Sequence, residues 1–298
     1  MILYILYKMG HFFALLLPLK VSYALACVIA DIFCFFSTKD RAVVINNLKI
    51  ITDSSANDKQ IVAMAREVFR HFAKYLVDFF RFQKVDLEYI RKFVKIEGEE
   101  NLRAALANSR GVILLSAHMG NWELGGVIIS MMGYPVSGVV LTHQNKKIND
   151  FFTRQRLTGN MTPIEIGASL KACYRVLRNN GLLALLGDRD FTKNGLPVKL
   201  FGRCVLVPRG PAVFSYRIGS AIVPSFMVRE RDDTFRLVFS EPLFADRSKA
   251  EEEAIIELAG KYTAVTEAFI RQYPEQWYIF KDIWLQDAQN DMRPDTIV

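Results

Sequence analysis

The stretch Gly111-Val-Ile-Leu-Leu-Ser-Ala-His118-Met-Gly-Asn-Trp-Glu123-Leu-Gly-Gly126 decides how the rest of the chain is read. Val112 to Leu115 is a short apolar run after a glycine and reads as a buried strand. His118 to Asn121 is a polar turn. Trp122 to Met132 then reads as a helix, closed by Gly133 as its C′ residue with Pro135 beyond it. On one continuous helix His118 and Glu123 would lie about 140° apart around the axis and could not touch. With His118 in the turn and Glu123 in the first helical turn, Gly120 can fold the imidazole back over the carboxylate. A helix N-terminus also favours an anion such as Glu123. The expectation is a histidine held by a carboxylate at the end of a strand, the base and orienter of a catalytic triad without its serine. A bare His-x4-Glu is more often a loop histidine beside a solvated glutamate. The order of strand, glycine turn and helix start favours the catalytic reading here.

Working outward, the strand and helix signals alternate. Asn57 with Gln60 is a capping-box-like start for a helix running to about Phe82, with Ile61, Met64, Val68, Phe72, Tyr75 and Phe79 at helical spacing. His71 falls within this helix and reads as structural. Val94 to Gly98 is a short strand and turn, and Glu99 to Asn108 a helix. Val136 to Leu141 is a strand, Asn149 to Leu157 a helix, Pro163 to Glu165 a strand, and Ser169 to about Asn179 a helix. Leu182 to Leu186 is apolar on both faces, as suits a central strand covered on both sides. Asp188, Arg189 and Asp190 follow at its carboxyl end, where open α/β sheets place their chemistry. Lys193 to Gly195 is a turn. Gly210 and Pro211 can open a helix whose N–H groups would meet an anion, though an ordinary tight loop has the same signature. Ala221 to Val228 and Thr234 to Ser240 are two strands joined by a charged turn, and Lys249 to Arg271 is a long helix. The fold class expected is α/β, a mixed central sheet flanked by helices.

The bulk composition bounds the class. Hydrophobic residues make up 51% of the 298, high for a soluble enzyme and low for a polytopic membrane protein. Residues 1 to 36 are apolar but interrupted by Lys8, His11, Pro18, Lys20 and Asp31, and no run reaches the roughly 20 clean residues of a spanning helix. An uncleaved membrane-associating helical segment is expected, lying in or dipping into the bilayer. The domain plan is therefore 1–38 for that segment, 39–286 for the enzyme body and 287–298 for a polar tail. The net charge of +7 favours anionic lipid surfaces, phosphorylated substrates or an acidic carrier protein. Without a basic stripe or a nucleic-acid motif, no nucleic-acid partner is expected. The histidines at 11, 71, 118 and 143 form no His-Glu-x-x-His, and the four cysteines no Cys-x-x-Cys, so no metal is expected. The cysteine pattern suits a reduced, cytosol-facing body.

Ser116-Ala-His118-Met-Gly-Asn-Trp-Glu123 resembles the His-x4-Asp/Glu signature of glycerolipid acyltransferases. The Asn121-Trp122-Glu123 form most resembles the lipid A late acyltransferases (lauroyl and myristoyl transferases) and their mycobacterial mannoside acyltransferase relatives. Further blocks follow in the order that family shows: Arg41 with Asn47-Leu48, Asp188-Arg189-Asp190, Phe201-Gly202-Arg203 with Pro208-Arg209-Gly210-Pro211-Ala212, and Pro274-Glu-Gln-Trp277. The resemblance spans roughly residues 40 to 284. It implies a glycerolipid acyltransferase-like fold and site contributions from Asn121, Trp122, Asp188, Asp190, Phe201, Gly202, Arg203, Arg209, Gly210 and Pro211. It also implies an active-site arginine before the Gly159-Asn160 turn, with Arg154 the better match and Arg156 the rival. Arg189, between the two aspartates, departs from the pattern.

The expected reaction is direct acyl transfer. His118 would act as general base on a lipid or sugar hydroxyl, with Glu123 fixing its tautomer. The acyl thioester would come from acyl carrier protein or coenzyme A, with no metal or redox cofactor. Arg154, or backbone N–H groups near Gly210, would stabilise the oxyanion. Asp188 would shape the site or hold an arginine. The acceptor implied is a lipid A precursor at the cytoplasmic face of a bacterial inner membrane. A mannoside lipid, an amino lipid, a lysophospholipid or a non-catalytic lipid-binding role are the alternatives.

Overall fold

The computed structural model describes residues 1–53, 55–166, 170–190 and 194–285. The expected start of a helix at Ser169, the turn residue Lys193 and the polar tail from 287 lie outside the described residues. Four helices come first: α1 (Ile2–Leu16), α2 (Leu19–Phe36), α3 (Thr38–Thr52) and α4 (Asp58–Phe80). Then come α5 (Leu87–Phe93), β1 (Val94–Glu97), α6 (Glu99–Ala107), β2 (Val112–Ser116), α7 (Trp122–Met131), β3 (Val136–Val140), α8 (Lys146–Thr158) and β4 (Thr162–Glu165). The second half holds α9 (Leu170–Arg178), β5 (Leu182–Leu186), β6 (Leu196–Leu200), β7 (Arg203–Val207), α10 (Gly210–Ile218), β8 (Ala221–Arg229), β9 (Phe235–Phe239) and α11 (Glu251–Gln272).

Seven strands form one sheet in the order β1-β9-β8-β2-β5-β3-β4. The β8–β9 pair is antiparallel and every other neighbouring pair is parallel, so the sheet is mixed. β6 and β7 form a separate antiparallel hairpin. The runs apolar on both faces, β2 and β5, lie side by side in the interior, as burial on two faces requires. One core joins the sheet to α3, α9, α10 and α11; the other joins it to α5, α6, α7 and α8. α4 contributes side chains to both.

Local signals account for most boundaries. Asn57 and Gln60 form a reciprocal capping box at the start of α4. α8 starts three residues earlier than the apolar spacing implies, because Asn145 caps it through the N–H groups of Lys147 and Ile148.

The N-terminal segment is two helices. Pro18 separates α1 from α2, and α2 is long and apolar enough to cross a membrane. At 18 residues it measures about 27 Å, against a hydrocarbon core of about 30 Å. Asp31, counted in the sequence as an interruption, lies against α4, where Arg66 and Arg70 both hold its carboxylate. The inner face of α2 carries small residues, Ser22, Ala26, Ala30 and Cys34, which let it approach α4 closely. Its outer face exposes Leu25, Val28, Ile29, Ile32, Phe33 and Phe36, and α1 adds a similar apolar face.

Candidate active site

β2 and β5 are parallel neighbours, with Ser116 opposite Leu186. Extending that register two residues sets His118 opposite Asp188. His118 Nδ1 lies 2.8 Å from Asp188 Oδ1, and the His118 backbone N–H donates to Oδ2 at 3.0 Å. The Trp277 indole N–H donates to the same Oδ2 at 2.9 Å. Burial would raise the Asp188 pKa, but the imidazole and these N–H donors hold it below the ordinary carboxylate value. Facing an ionised carboxylate, Nδ1 carries the ring proton, and Nε2 is the basic nitrogen at the opposite edge. The partner of the imidazole is thus Asp188, where the local sequence pointed to Glu123.

The turn carrying His118 is built to fit. Gly120 has φ +59°, and a Cβ there would sit 2.0 Å from the Met227 carbonyl oxygen, so only glycine lets the turn lie this close to β8. The chain following α11 closes the other side. Gly120 N–H donates to Gln276 O at 2.8 Å, and Tyr278 N–H to His118 O at 2.7 Å. Asn121 caps α7 by accepting from Leu124 N–H at 3.1 Å. Its side-chain amide donates to Asp78 at 2.8 Å, and Asp78 also holds the Tyr23 hydroxyl of α2 and the Arg229 guanidinium. All four side chains are buried. Burial would lower the Arg229 pKa, but Asp78 more than offsets this and keeps the guanidinium charged.

Glu123, in the first turn of α7, accepts from Arg156 Nε at 3.1 and 3.0 Å and from Nη2 at 2.5 Å. Both residues are buried, 6% and 8% exposed, so this is a desolvated ion pair. Burial works against the charge on Arg156, and Glu123 overcomes it, leaving the guanidinium pKa raised. Arg154, two positions earlier on α8, points about 200° away and is exposed. The arginine at this site is therefore Arg156, not the Arg154 that the resemblance favoured.

His118, Glu123, Arg156 and Arg189 line one cleft of about 470 Å³, with Lys281 beside them. Its remainder is mostly apolar, with Ser116, His143 and Ser225 among the lining. Leu114, Gly138, Ala184 and Met227 of the sheet form one wall, and Ile129 and Met161 face them. Small residues at Gly138 and Ala184 keep space open above the strands. Tyr7 of α1 and Phe72 of α4 continue the lining toward the helices with exposed apolar faces. Charged groups beside a largely apolar lining suit a ligand with a polar head and a hydrocarbon tail.

The other expected site residues divide. Trp122 lines the cleft, edge-on to His118 at 5.5 Å between ring centroids and stacked on Tyr75 at 4.5 Å. Arg189 lines it too, its pKa lowered by burial. Asn121 serves as the cap described above. Asp190 ties the hairpin to the sheet, its N–H donating to Leu206 O at 2.9 Å. Phe201, Gly202 and Arg203 make the turn between β6 and β7, where Phe201 lies under the Arg271 guanidinium of α11. Arg209 pairs with Glu252, and Gly210 and Pro211 open α10. Asn121, Asp190, Phe201, Gly202, Arg203, Arg209, Gly210 and Pro211 are not among the residues lining the cleft. Sequence reasoning missed the part played by Trp277, although its Pro-Glu-Gln-Trp block had marked the region.

The family model for bacterial lipid A biosynthesis acyltransferases matches residues 1–286. The phosphatidylinositol mannoside acyltransferase of Mycolicibacterium smegmatis is 25% identical over 235 residues, covering 77% of this chain and 75% of that protein. Its Mycobacterium tuberculosis counterpart is 24% identical over 209 residues, 66% of this chain and 62% of that protein. The lipid A biosynthesis palmitoleoyltransferase of Escherichia coli is 26% identical over 190 residues, 63% of this chain and 60% of that protein. A match along nearly the whole chain, with relatives named for acyl transfer, shows that this protein belongs to the bacterial lipid A biosynthesis acyltransferase family and is an enzyme that transfers acyl groups.

Proposed function

We propose that the enzyme moves a fatty acyl chain from a thioester of acyl carrier protein or coenzyme A to a hydroxyl of a membrane glycolipid, with a lipid A precursor as the favoured acceptor. The observation that carries this reading is the His118–Asp188 pair, with His118 lining a largely apolar cleft and Asp188 buried behind it. The acceptor hydroxyl gives its proton to His118 Nε2 as its oxygen bonds to the thioester carbonyl carbon. Asp188 holds the tautomer and supports the imidazolium. Glu123 lines the same cleft, its carboxylate held by Arg156. Arg189 faces the oxyanion. Collapse of the tetrahedral intermediate breaks the carbon–sulfur bond, and the leaving thiolate takes the proton from the imidazolium. Protons and electrons balance without a metal or redox cofactor.

The acyl tail occupies the apolar part of the cleft. The exposed faces of α1 and α2 hold the enzyme at a membrane surface. Cysteines that form no disulfide among the described residues suit the reducing, cytoplasmic side of a bacterial inner membrane. A second reading has a mannose hydroxyl of a phosphatidylinositol mannoside as acceptor. The longer span shared with the mycobacterial relatives favours it.

The test incubates purified protein with acyl-loaded carrier protein or acyl coenzyme A and a panel of lipid acceptors, and identifies the product by mass. An acylated glycolipid formed by the wild type and lost in His118→Ala supports the reading. Full product from His118→Ala overturns it.

A further inference from the structure

At the end of the sheet opposite His118 there is a second hollow, of about 790 Å³. It begins at Arg110, just before β2. His118 follows the other end of that strand, so the two sites are at least ~17 Å apart. Arg110, Lys171, Arg175, Arg178 and Arg217 line the hollow, and among the described residues no carboxylate does. Arg247 joins the cluster: its guanidinium and the Arg110 side chain both approach Gly219, at 3.6 and 4.0 Å from where a Cβ would stand.

Elsewhere among the described residues Arg66, Arg70, Arg156, Arg209, Arg229 and Arg271 each pair with a carboxylate. In this cluster only Arg217 does, with Glu251 at 2.7 Å. Helix dipoles explain part of the pattern, since Arg175 and Arg178 end α9 and Arg217 ends α10. They do not explain Lys171, in the first turn of α9 where a cation is disfavoured, nor Arg110 and Arg247, which lie in loops. Five exposed cations with no carboxylate partner among the described residues stand at or beside this hollow, and a bound anion would offset their mutual repulsion.

We propose that this hollow binds a ligand bearing two phosphoryl groups, a free diphosphate or a doubly phosphorylated headgroup. One phosphoryl group carries roughly −1.5 to −2 charges, so two of them match the unpaired cations. Guanidinium forks suit such oxygens bidentately.

The probe is inorganic pyrophosphate, titrated calorimetrically into the full-length protein in detergent. The wild type binds it with an affinity that falls as salt rises. Arg175→Glu with Arg178→Glu weakens binding about tenfold or more, whereas Lys59→Glu with Lys199→Glu, an equal charge reversal on distant exposed residues, leaves it within about twofold. The milder Arg175→Gln, checked by thermal unfolding, gives a partial loss should the double reversal misfold. His118→Ala leaves binding intact, which separates this hollow from the catalytic cleft. A second arm compares phosphatidylcholine vesicles with and without cardiolipin. Loss of pyrophosphate binding identifies a soluble ligand, and loss confined to the cardiolipin-dependent increment identifies a headgroup. The proposal is overturned if the Arg175/Arg178 and Lys59/Lys199 reversals behave alike in both arms, or if neither probe binds.

Discussion

His118 and Asp188 each stand two residues beyond the ends of adjacent parallel strands, and their side chains meet at 2.8 Å. The pairing follows from sheet register alone. Neighbouring parallel strands run about 4.8 Å apart, so an imidazole on one and a carboxylate on the next span the gap with one hydrogen bond.

The Glu123–Arg156 pair is buried, and breaking it leaves one desolvated charge. Arg156→Leu is expected to lower unfolding stability by roughly 3–5 kcal/mol, measured by denaturant titration. Glu123→Gln combined with Arg156→Leu should recover most of that stability but not acyl transfer. Recovery of transfer by the double variant would show that the pair is structural only.

Gly138 opens the apolar part of the cleft, and a Cβ there already stands 3.3 Å from Met161. Gly138→Val should shift the enzyme toward shorter acyl donors. Excluding two methylenes removes about 1.6 kcal/mol of burial, or roughly tenfold in kcat/KM for the longer donor. Competition between donors, read by product mass, checks this; unchanged chain preference would place the acyl tail elsewhere.

Asp78 holds together α2, α4, the cap of α7 and β8. Asp78→Ala leaves Arg229 charged and buried with only the more distant Asp233 carboxylate, at 3.4 Å, at a cost of roughly 3–5 kcal/mol. Tyr23→Phe removes one hydrogen bond and should cost only about 1 kcal/mol. Unfolding of the two variants side by side tests the difference.

His71 is pushed down to about 4 by burial and by the nearby Arg229 and Lys74 charges. Its Nδ1 is buried without a hydrogen-bond partner. The unfolded chain binds this proton near 6.5, so between pH 6.5 and 4 the unfolded state carries more protons and stability falls as pH falls. His71→Gln should flatten that decline, read as the melting temperature across the interval. An identical slope in the variant would assign the decline to other groups.

The sequence told some levels of this structure and withheld others. The strand, glycine turn and helix around His118 were legible because periodicity, Gly120 and the Asn121 cap are local signals. The two-faced apolar runs marked the interior strands for the same reason. Which strands lie side by side is a long-range property, and with it goes the identity of the carboxylate on His118. Asp188 could be marked as a polar residue at a strand end, but its partner could not. Arg156 was the rival, not the first choice, because two arginines two positions apart look alike until the helix phase fixes which one is buried. Trp277 reaches the site from 89 residues beyond Asp188, and nothing local announces that bond.

The most direct measurement is kcat for acyl transfer by Asp188→Asn across pH, with unfolding stability followed in parallel. An Asn in this position no longer enforces the tautomer or supports the imidazolium. The result expected is a kcat lowered about 10²- to 10⁴-fold, with KM for donor and acceptor nearly unchanged and the protein folded. A kcat close to wild type in folded Asp188→Asn would contradict the assignment of His118 as a base oriented by Asp188.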